Sequence, residues 1–338
     1  MRPCSRGHRS AIIALVCLCA SLASPCKLHA SVSVLLEEPY GWFSHVSPSG
    51  HTAVYLDNIC AETPLRVRPC HPGELGVVIS RYDGIGDHDW IAIPITGYLY
   101  AVQDPQDIPT RVTQDDVNHL RDVYRHQTLT LVAPDLPGGI APTGNWYQVA
   151  GAAYNRTIYG FQVKTTPEQD AEFIAFLNDN PNHAHYNGIV RNCADFVRLT
   201  LNHFYPHAIH RNVIADLGMT SPKSVARGLS HYAKKHPEAG LKTFRIPQVP
   251  GTLPRSHAPV TFMEGVSKEF GIPLFFLSPY ATGAVVTAWL TQGTFREPKK
   301  SPVFDLRSSA VGPAATASDS PASPTPAPIT TTPTVTAP

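Results

Sequence analysis

The sequence predicts an α+β fold, built from both strands and helices. A strand-like alternation of polar and apolar residues runs from His51 to Ile59 and follows the turn-forming residues 47–50. Several other segments carry helical periodicity with capping residues at their starts. Of the 338 residues, 43% are hydrophobic, which is enough for a sizeable packed core.

Both ends of the chain are predicted to lie outside the folded part. Residues 1–30 combine three arginines, an apolar run over 11–23 and a small-residue site ending at Ala30, as is typical of a secretory signal peptide. An uncleaved anchor is the alternative, although the apolar run is short for a span. Residues 308–338 are rich in Pro, Ala, Ser and Thr and predict a disordered tail. Between them we expect a main domain over 31–245 and a C-terminal extension over 246–307.

The charge balance argues against nucleic acid as a partner. The chain has 27 Lys and Arg residues and 26 Asp and Glu residues, for a formal net charge of +1. No stretch supplies the clustered basic excess that binding to a polyphosphate needs.

Three cysteines remain once residues 1–30 are removed, namely Cys60, Cys70 and Cys193. In an oxidising compartment an odd number implies one pair and one thiol left over. Cys60 and Cys70 flank a span short enough to fold back on itself, so we predict a disulfide between them. Two buried free thiols are the alternative there.

Cys193 is predicted to lie in the first turn of a helix. Asn192 is a favoured N-cap residue, Asp195 follows where a capping carboxylate would lie, and Pro206 ends the segment. Free backbone N–H groups and the helix dipole favour a thiolate there and can hold an oxyanion. The alternative is a small apolar residue that docks the helix.

A thiolate nucleophile needs a base, and His51 is the strongest candidate because it opens the predicted strand. A histidine at the start of a central strand can face a helix N-terminus in the adjoining layer. The alternative is a polar residue that merely ends the strand.

The segments Gly50-His51-Thr-Ala-Val-Tyr-Leu and Asn192-Cys193-Ala-Asp-Phe-Val resemble the circularly permuted branch of the NlpC/P60 superfamily of papain-like cysteine enzymes, which includes the lecithin retinol acyltransferase-like proteins. In that branch the His strand precedes the Cys helix, as it does here. The resemblance implies an antiparallel sheet packed against the helix that carries the Cys. The sequence departs from the compact family pattern, because 142 positions separate His51 from Cys193, and we expect a large insertion over about 87–185.

The resemblance also implies roles for individual residues. Cys193 would be the nucleophile and His51 the base. Asn192, at the start of the same helix, is our own candidate for supporting the oxyanion. A third polar residue on the following strand would orient the imidazole, and Glu62 is the best positional match. The other residues available for that role are Asp57, Asp87 and His88.

Further elements are predicted inside and after the insertion. Strands are expected near 90–102 and over Ile158–Lys164, and a helix near 114–125. A second helix starts at the Thr166 cap, with Pro167 first and Gln169 completing a capping box, and ends near residue 178. A third helix is expected from Ser221 to about Lys235.

Two more features bear on ligands and location. The stretch over 270–295 has no charged residue and is long enough to span a membrane, although its prolines and polar residues equally suit a buried or surface apolar hairpin. The histidines at 203, 207 and 210 are interrupted by Pro206, which breaks the spacing that aligns two imidazoles on one helix face, so we expect no metal. No cofactor motif is present.

The sequence therefore predicts an exported thiol hydrolase, periplasmic or associated with the cell envelope, that cleaves an amide bond in a substrate such as a cell-wall peptide. A lipid acyl hydrolase or acyltransferase of the same fold is the first alternative. A non-catalytic binding protein associated with the membrane is the second.

Overall fold

The structure is a computed structural model, and it describes residues 30–41, 49–213, 216–262, 264, 278–292 and 295–307. The predicted signal peptide, apart from Ala30, and the predicted C-terminal tail lie outside the described residues.

One six-stranded antiparallel sheet forms the centre of the molecule, with the strand order β6-β5-β2-β1-β7-β8. β1 is a central strand that pairs with β2 on one side and with β7 on the other. A separate hairpin joins β3 to β4. The strands are β1 Ser31–Glu37, β2 His51–Leu56, β3 Ile59–Thr63, β4 Arg66–Pro69, β5 Val77–Ser80, β6 Ile91–Pro94, β7 Ile158–Lys164 and β8 Lys242–Ile246.

Helices cover both faces of this sheet. One face packs against α1, α2 and α3, and the opposite face packs against α4, α5 and α6. All seven residues of β1 and all six of β2 are therefore buried. The helices are α1 Ile95–Tyr100, α2 Gln114–Thr128, α3 Ala152–Asn155, α4 Pro167–Asp179, α5 Cys193–Phe204, α6 Pro222–Lys235 and α7 Pro279–Gln292. The predicted α+β class is confirmed.

The helix starts follow the local capping signals. Thr166 and Gln169 form the expected capping box at the start of α4. Asn192 caps α5 and Ser221 caps α6, each through a side chain that accepts a backbone N–H. At these positions the cap satisfies an N–H that has no partner within the helix, so the boundary is set locally.

The predicted strand over 90–102 is only partly correct. A strand covers Ile91–Pro94, and helix α1 follows at once. α1 is fully buried, and its Gly97 lies so close to Tyr124 of α2 that an added Cβ would fall 2.0 Å from the phenol oxygen. The helix therefore forms against a tertiary neighbour, which the strand-like local composition does not reveal.

The ranges predicted for the insertion and for the main domain both cross the central sheet. The range 87–185 contains β6 and β7, which are two strands of that sheet. The boundary between residues 245 and 246 falls inside β8, and Val249, Leu253 and Leu306 pack in the same core as α1, α2 and α3. Sheet pairing thus joins segments that sequence spacing separates.

The predicted disulfide is confirmed, because Cys60 and Cys70 are bonded across the β3–β4 hairpin. Cys193 is a buried free thiol. In the part of the chain that the structure describes, no helix combines the length and apolar character required to cross a bilayer. Part of the predicted membrane segment, residues 270–277 and 293–294, lies outside that part, and residues 279–292 form α7.

Candidate active site

Cys193 occupies the first turn of α5, as the sequence predicts. The Asn192 side chain accepts a hydrogen bond from the Asp195 N–H at 2.9 Å, and the apolar side of α5 packs over β2. The thiol is 7% exposed. The backbone N–H groups of Thr52 and Ala194 donate hydrogen bonds to it. The sulfur therefore lies beside the residue that follows His51.

The acidity of Cys193 departs from the expectation for a helix N-terminus. Burial raises the pKa of the thiol to about 11, and the two backbone N–H groups only partly offset this effect. Desolvation disfavours the thiolate more than the helix end stabilises it. The resting sulfur is therefore a neutral thiol at neutral pH.

His51 is the first residue of β2 and lies directly opposite Glu37 of β1. Its Nε2 atom is 3.0 Å from Ser80 Oγ, and Ser80 Oγ donates to the Thr52 carbonyl at 2.8 Å. Since the Ser80 hydroxyl hydrogen is already used, the network assigns Nε2 as the donor to Ser80. Nδ1 is then the basic nitrogen. The ring also stacks on Tyr82, with centroids 5.2 Å apart.

The imidazole of His51 is neutral in this setting. Burial and, to a smaller extent, the positive charge of Arg156 together lower its pKa to about 3. An imidazolium would lose its hydration without gaining a carboxylate contact. Cys193 and His51 thus form a neutral pair at neutral pH, unlike the ion pair that a low thiol pKa would give.

Cys193 and His51 both lie at the start of β2, because α5 packs on β2 and the thiol is next to Thr52. Side chains alternate along a strand, so His51 belongs to the face of Ala53 and Tyr55, which pack with α1, α2 and α3. α5 packs on the other face, against Val54 and Leu56. No hydrogen bond between the thiol and the imidazole is present among the described residues. The structure therefore brings the two residues to one end of one strand and directs the imidazole towards Ser80.

A buried ion pair lies behind His51. Arg156 Nη1 is 3.0 Å from Glu37 Oε2, and both side chains are at most 3% exposed. The Tyr98 hydroxyl donates to the other Glu37 oxygen. Burial still raises the pKa of Glu37 above its usual range. Such a pair is costly to break, because either partner alone would be an uncompensated buried charge.

Glu62 is not positioned to orient His51. Its carboxylate is about half exposed and pairs with Arg66 at 3.0 Å on the β3–β4 hairpin. Asp57 binds Ser31 at the far end of β2. Asp87 pairs with His185. The hairpin bends away from the central sheet after β2, so the residue that is next in sequence does not become the neighbour in space.

His88, the remaining alternative, is also engaged elsewhere, because its Nδ1 contacts the Asn182 carbonyl at 3.3 Å. Asn192 serves the helix and the loops around it: its amide nitrogen donates to the carbonyls of Gly188 and Thr220. With its oxygen used in the cap, the Asn192 side chain has no N–H directed at a substrate oxygen. The backbone N–H groups beside Cys193 are the better donors for an oxyanion.

No family model, curated protein or solved structure matches this chain.

Four residues around His51 were not predicted from the sequence, namely Glu37, Ser80, Tyr82 and Arg156. Ser80 and Tyr82 follow the apolar run Val77-Val-Ile79, and Glu37 ends the apolar run of β1. A polar residue at the end of a buried strand is the signal that could have marked them. Their convergence depends on the order of strands in the sheet, which the local sequence does not specify.

Proposed function

We propose that this protein is an exported thiol hydrolase with a permuted papain-like core, in which Cys193 is the nucleophile and His51 the base. The observation that carries the proposal is the pairing at the start of β2. The thiol is bonded by the N–H of Thr52, and the preceding residue is a histidine whose Nε2 is held by Ser80 at 3.0 Å. No hydrogen bond to Nδ1 is present among the described residues, and in this proposal Nδ1 is the atom that accepts the thiol proton.

Because Cys193 and His51 are both neutral at rest, the thiol proton is transferred during the attack on the substrate and not before it. When the sulfur attacks the carbonyl carbon of an amide, its proton passes to His51 Nδ1, and a tetrahedral oxyanion forms. The amine leaves with the proton from the imidazolium, and a thioester to Cys193 remains. Water then attacks the thioester as the imidazole accepts one of its protons. The proton returns to sulfur, and the carboxylic acid is released.

Backbone N–H groups beside Cys193 support the oxyanion in this scheme. Thr52 and Ala194 already donate to the sulfur in the resting state. The N–H groups in the first turn of α5 lack partners within the helix and carry the positive end of its dipole. An oxygen bonded to the attacked carbon would lie next to them, with no side-chain donor required.

In this proposal Ser80 orients the imidazole, the role that the sequence predicts for Glu62. It lies on β5, the sheet neighbour of β2, and accepts from Nε2. A hydroxyl holds the tautomer and the ring plane, but it adds no negative charge to stabilise an imidazolium. This is consistent with the low pKa of His51.

A non-catalytic binding protein is the second candidate. It is favoured by the 7% exposure of Cys193 and by the absence, among the described residues, of a hydrogen bond from the thiol to His51. In catalytic sites such hydrogen bonds are often long before substrate binds, so the two candidates call for a reactivity measurement.

Alkylation of Cys193 distinguishes these candidates. If His51 accepts the thiol proton, His51→Ala should slow the reaction of the exported form with iodoacetamide at pH 7 by a factor on the order of 100. The exposed His71→Ala is the matched control and should react at the wild-type rate. Equal rates in all three proteins would support the binding protein instead.

The substrate class is tested by incubating the exported form separately with cell-wall muropeptides and with mixed phospholipid vesicles. We expect new free amino groups from the muropeptides, lost in Cys193→Ala. Release of fatty acid alone, also lost in Cys193→Ala, would replace the amide substrate with a lipid ester and keep the nucleophile.

A further inference from the structure

A cavity separate from the Cys193 thiol opens beside α2. It has a volume of about 410 Å³, within the range of small-molecule sites. One wall is a face of α2 that includes Asn118 and Arg121, and the opposite wall includes Trp146, Tyr147 and Tyr40.

Arg121 is a buried cation in the wall of this cavity. Its side chain is 5% exposed. The Nε atom donates to the Ala150 carbonyl at 2.9 Å, and Nη2 donates to the Gly151 carbonyl at 3.0 Å and to Asn155 Oδ1 at 2.5 Å. All three acceptors are neutral. Among the described residues, Arg121 makes no ion pair.

The other buried arginines among the described residues each pair with a carboxylate, whereas Arg121 does not. Arg81 pairs with Asp89, Arg125 with Asp122 and Asp135, and Arg156 with Glu37. A buried charge without a counterion is costly, so charged side chains are generally paired when buried.

Among the described residues, no carboxylate pairs with Arg121 in the cavity. Asp122 also lines it, but that carboxylate is about half exposed and is bonded to Arg125 at 2.9 Å. Burial lowers the pKa of the Arg121 guanidinium, and the nearby positive charge of Arg156 also lowers it. Outside the described residues, the sequence contains only two acidic side chains, Glu269 and Asp319.

We propose that this cavity binds a small organic carboxylate, with Arg121 as its cationic partner. The aromatic side chains of Trp146, Tyr147 and Tyr40 offer faces for the body of the ligand. The amide of Asn118 and the cavity-lining Gln114 offer hydrogen bonds to hydroxyl or amide groups. Such a ligand would supply the negative charge that the protein does not.

Acidic sugars and acylated amino acids both combine a carboxylate with hydroxyl or amide groups. Binding is measured by calorimetry on the exported form carrying Cys193→Ala, so that the result is independent of any turnover. The probes are D-glucuronate against D-glucose, and N-acetylglycine against N-acetylglycinamide. We expect at least one carboxylate to bind about tenfold or more tightly than its neutral match, as a charge-assisted hydrogen bond would give. The pair that shows this difference identifies the ligand class, either an acidic sugar or an acylated amino acid.

A substitution in the cavity wall tests whether the carboxylate binds in this cavity. Asn118→Asp, on the exposed part of the wall, adds a negative charge with little change of shape and should weaken the carboxylate by about tenfold or more. Gln127→Glu makes the same change of charge on α2 outside the cavity lining and should leave the affinity within about twofold. If neither carboxylate exceeds its neutral match, or if Asn118→Asp binds like Gln127→Glu, the proposal is wrong.

Discussion

Burial controls the chemistry of individual residues in this protein. It raises the pKa of Cys193 to about 11 and lowers that of His51 to about 3. Both shifts disfavour charge, so the resting site is neutral over the physiological range. A substrate that brings a polar carbonyl group to the end of β2 would change that environment at the moment of attack.

The lowered pKa of His51 predicts a specific loss of stability in acid. The unfolded histidine takes up a proton near pH 6.5, whereas the folded one does so only near pH 3. Between these values the unfolded state binds more protons. The His51 contribution to the free energy of unfolding is therefore complete above pH 6.5 and falls as the pH is lowered, by up to about 1.4 kcal/mol per pH unit.

The measurement is urea unfolding of wild type and His51→Gln from pH 7 to pH 4. The difference in unfolding free energy between the two proteins should shrink as the pH falls. His71→Gln, at an exposed position, should follow the wild-type curve. Parallel curves for wild type and His51→Gln would contradict the buried neutral imidazole.

At the scale of elements, the β3–β4 hairpin shows how a short unit is held together. It forms a two-stranded sheet apart from the central one, and such a hairpin is marginal alone. The disulfide between Cys60 and Cys70 closes it, and Asn178 of α4 exchanges two hydrogen bonds with the backbone of Val67. The covalent link and the helix contact together fix the hairpin against the α4 layer.

Removing the disulfide should lower the free energy of unfolding by about 2–3 kcal/mol, because a short closed loop restricts the unfolded chain. The comparison is urea unfolding of wild type and the double variant Cys60→Ser, Cys70→Ser. Adding a reductant should lower wild type to the level of the variant and leave the variant unchanged. A variant as stable as oxidised wild type would show that the hairpin does not need the link.

At the scale of the whole molecule, the C-terminal segment over 295–307 completes the core. The Arg245 N–H donates to the Pro302 carbonyl, and the Phe304 N–H donates to the Arg245 carbonyl, each at 2.9 Å. The Phe304 ring lies 4.9 Å from that of Phe244, between centroids. Leu306 is 1% exposed. A segment distant in sequence thus covers β8 at the edge of the sheet.

Two truncations test this arrangement. Deleting residues 308–338 should leave the midpoint of thermal unfolding unchanged, because their composition offers little apolar surface to bury. Deleting residues 301–338 should lower it. Leu306→Ala in the otherwise unchanged chain should cost about 2–5 kcal/mol in urea unfolding. Equal midpoints for the two truncations would show that the segment over 301–307 contributes nothing to the fold.

The sequence by itself determined the features that depend on a few neighbouring residues. The caps at Thr166, Asn192 and Ser221 predict helix starts because each satisfies an N–H within one turn. β7 follows from its own residues, and the Cys60–Cys70 pairing follows from a ten-residue separation. Cys193 and His51 could be selected as candidates on the same local grounds.

The tertiary structure alone decided which residues surround those candidates. Strand order brings Ser80 to His51 and leaves Glu62 on the surface, and the sheet unites β6, β7 and β8 across the predicted boundaries. It also decided the protonation of the site. Burial is a property of the packed layers, and it raises the pKa of Cys193 more than the helix end lowers it. The sequence predicts only the helix end.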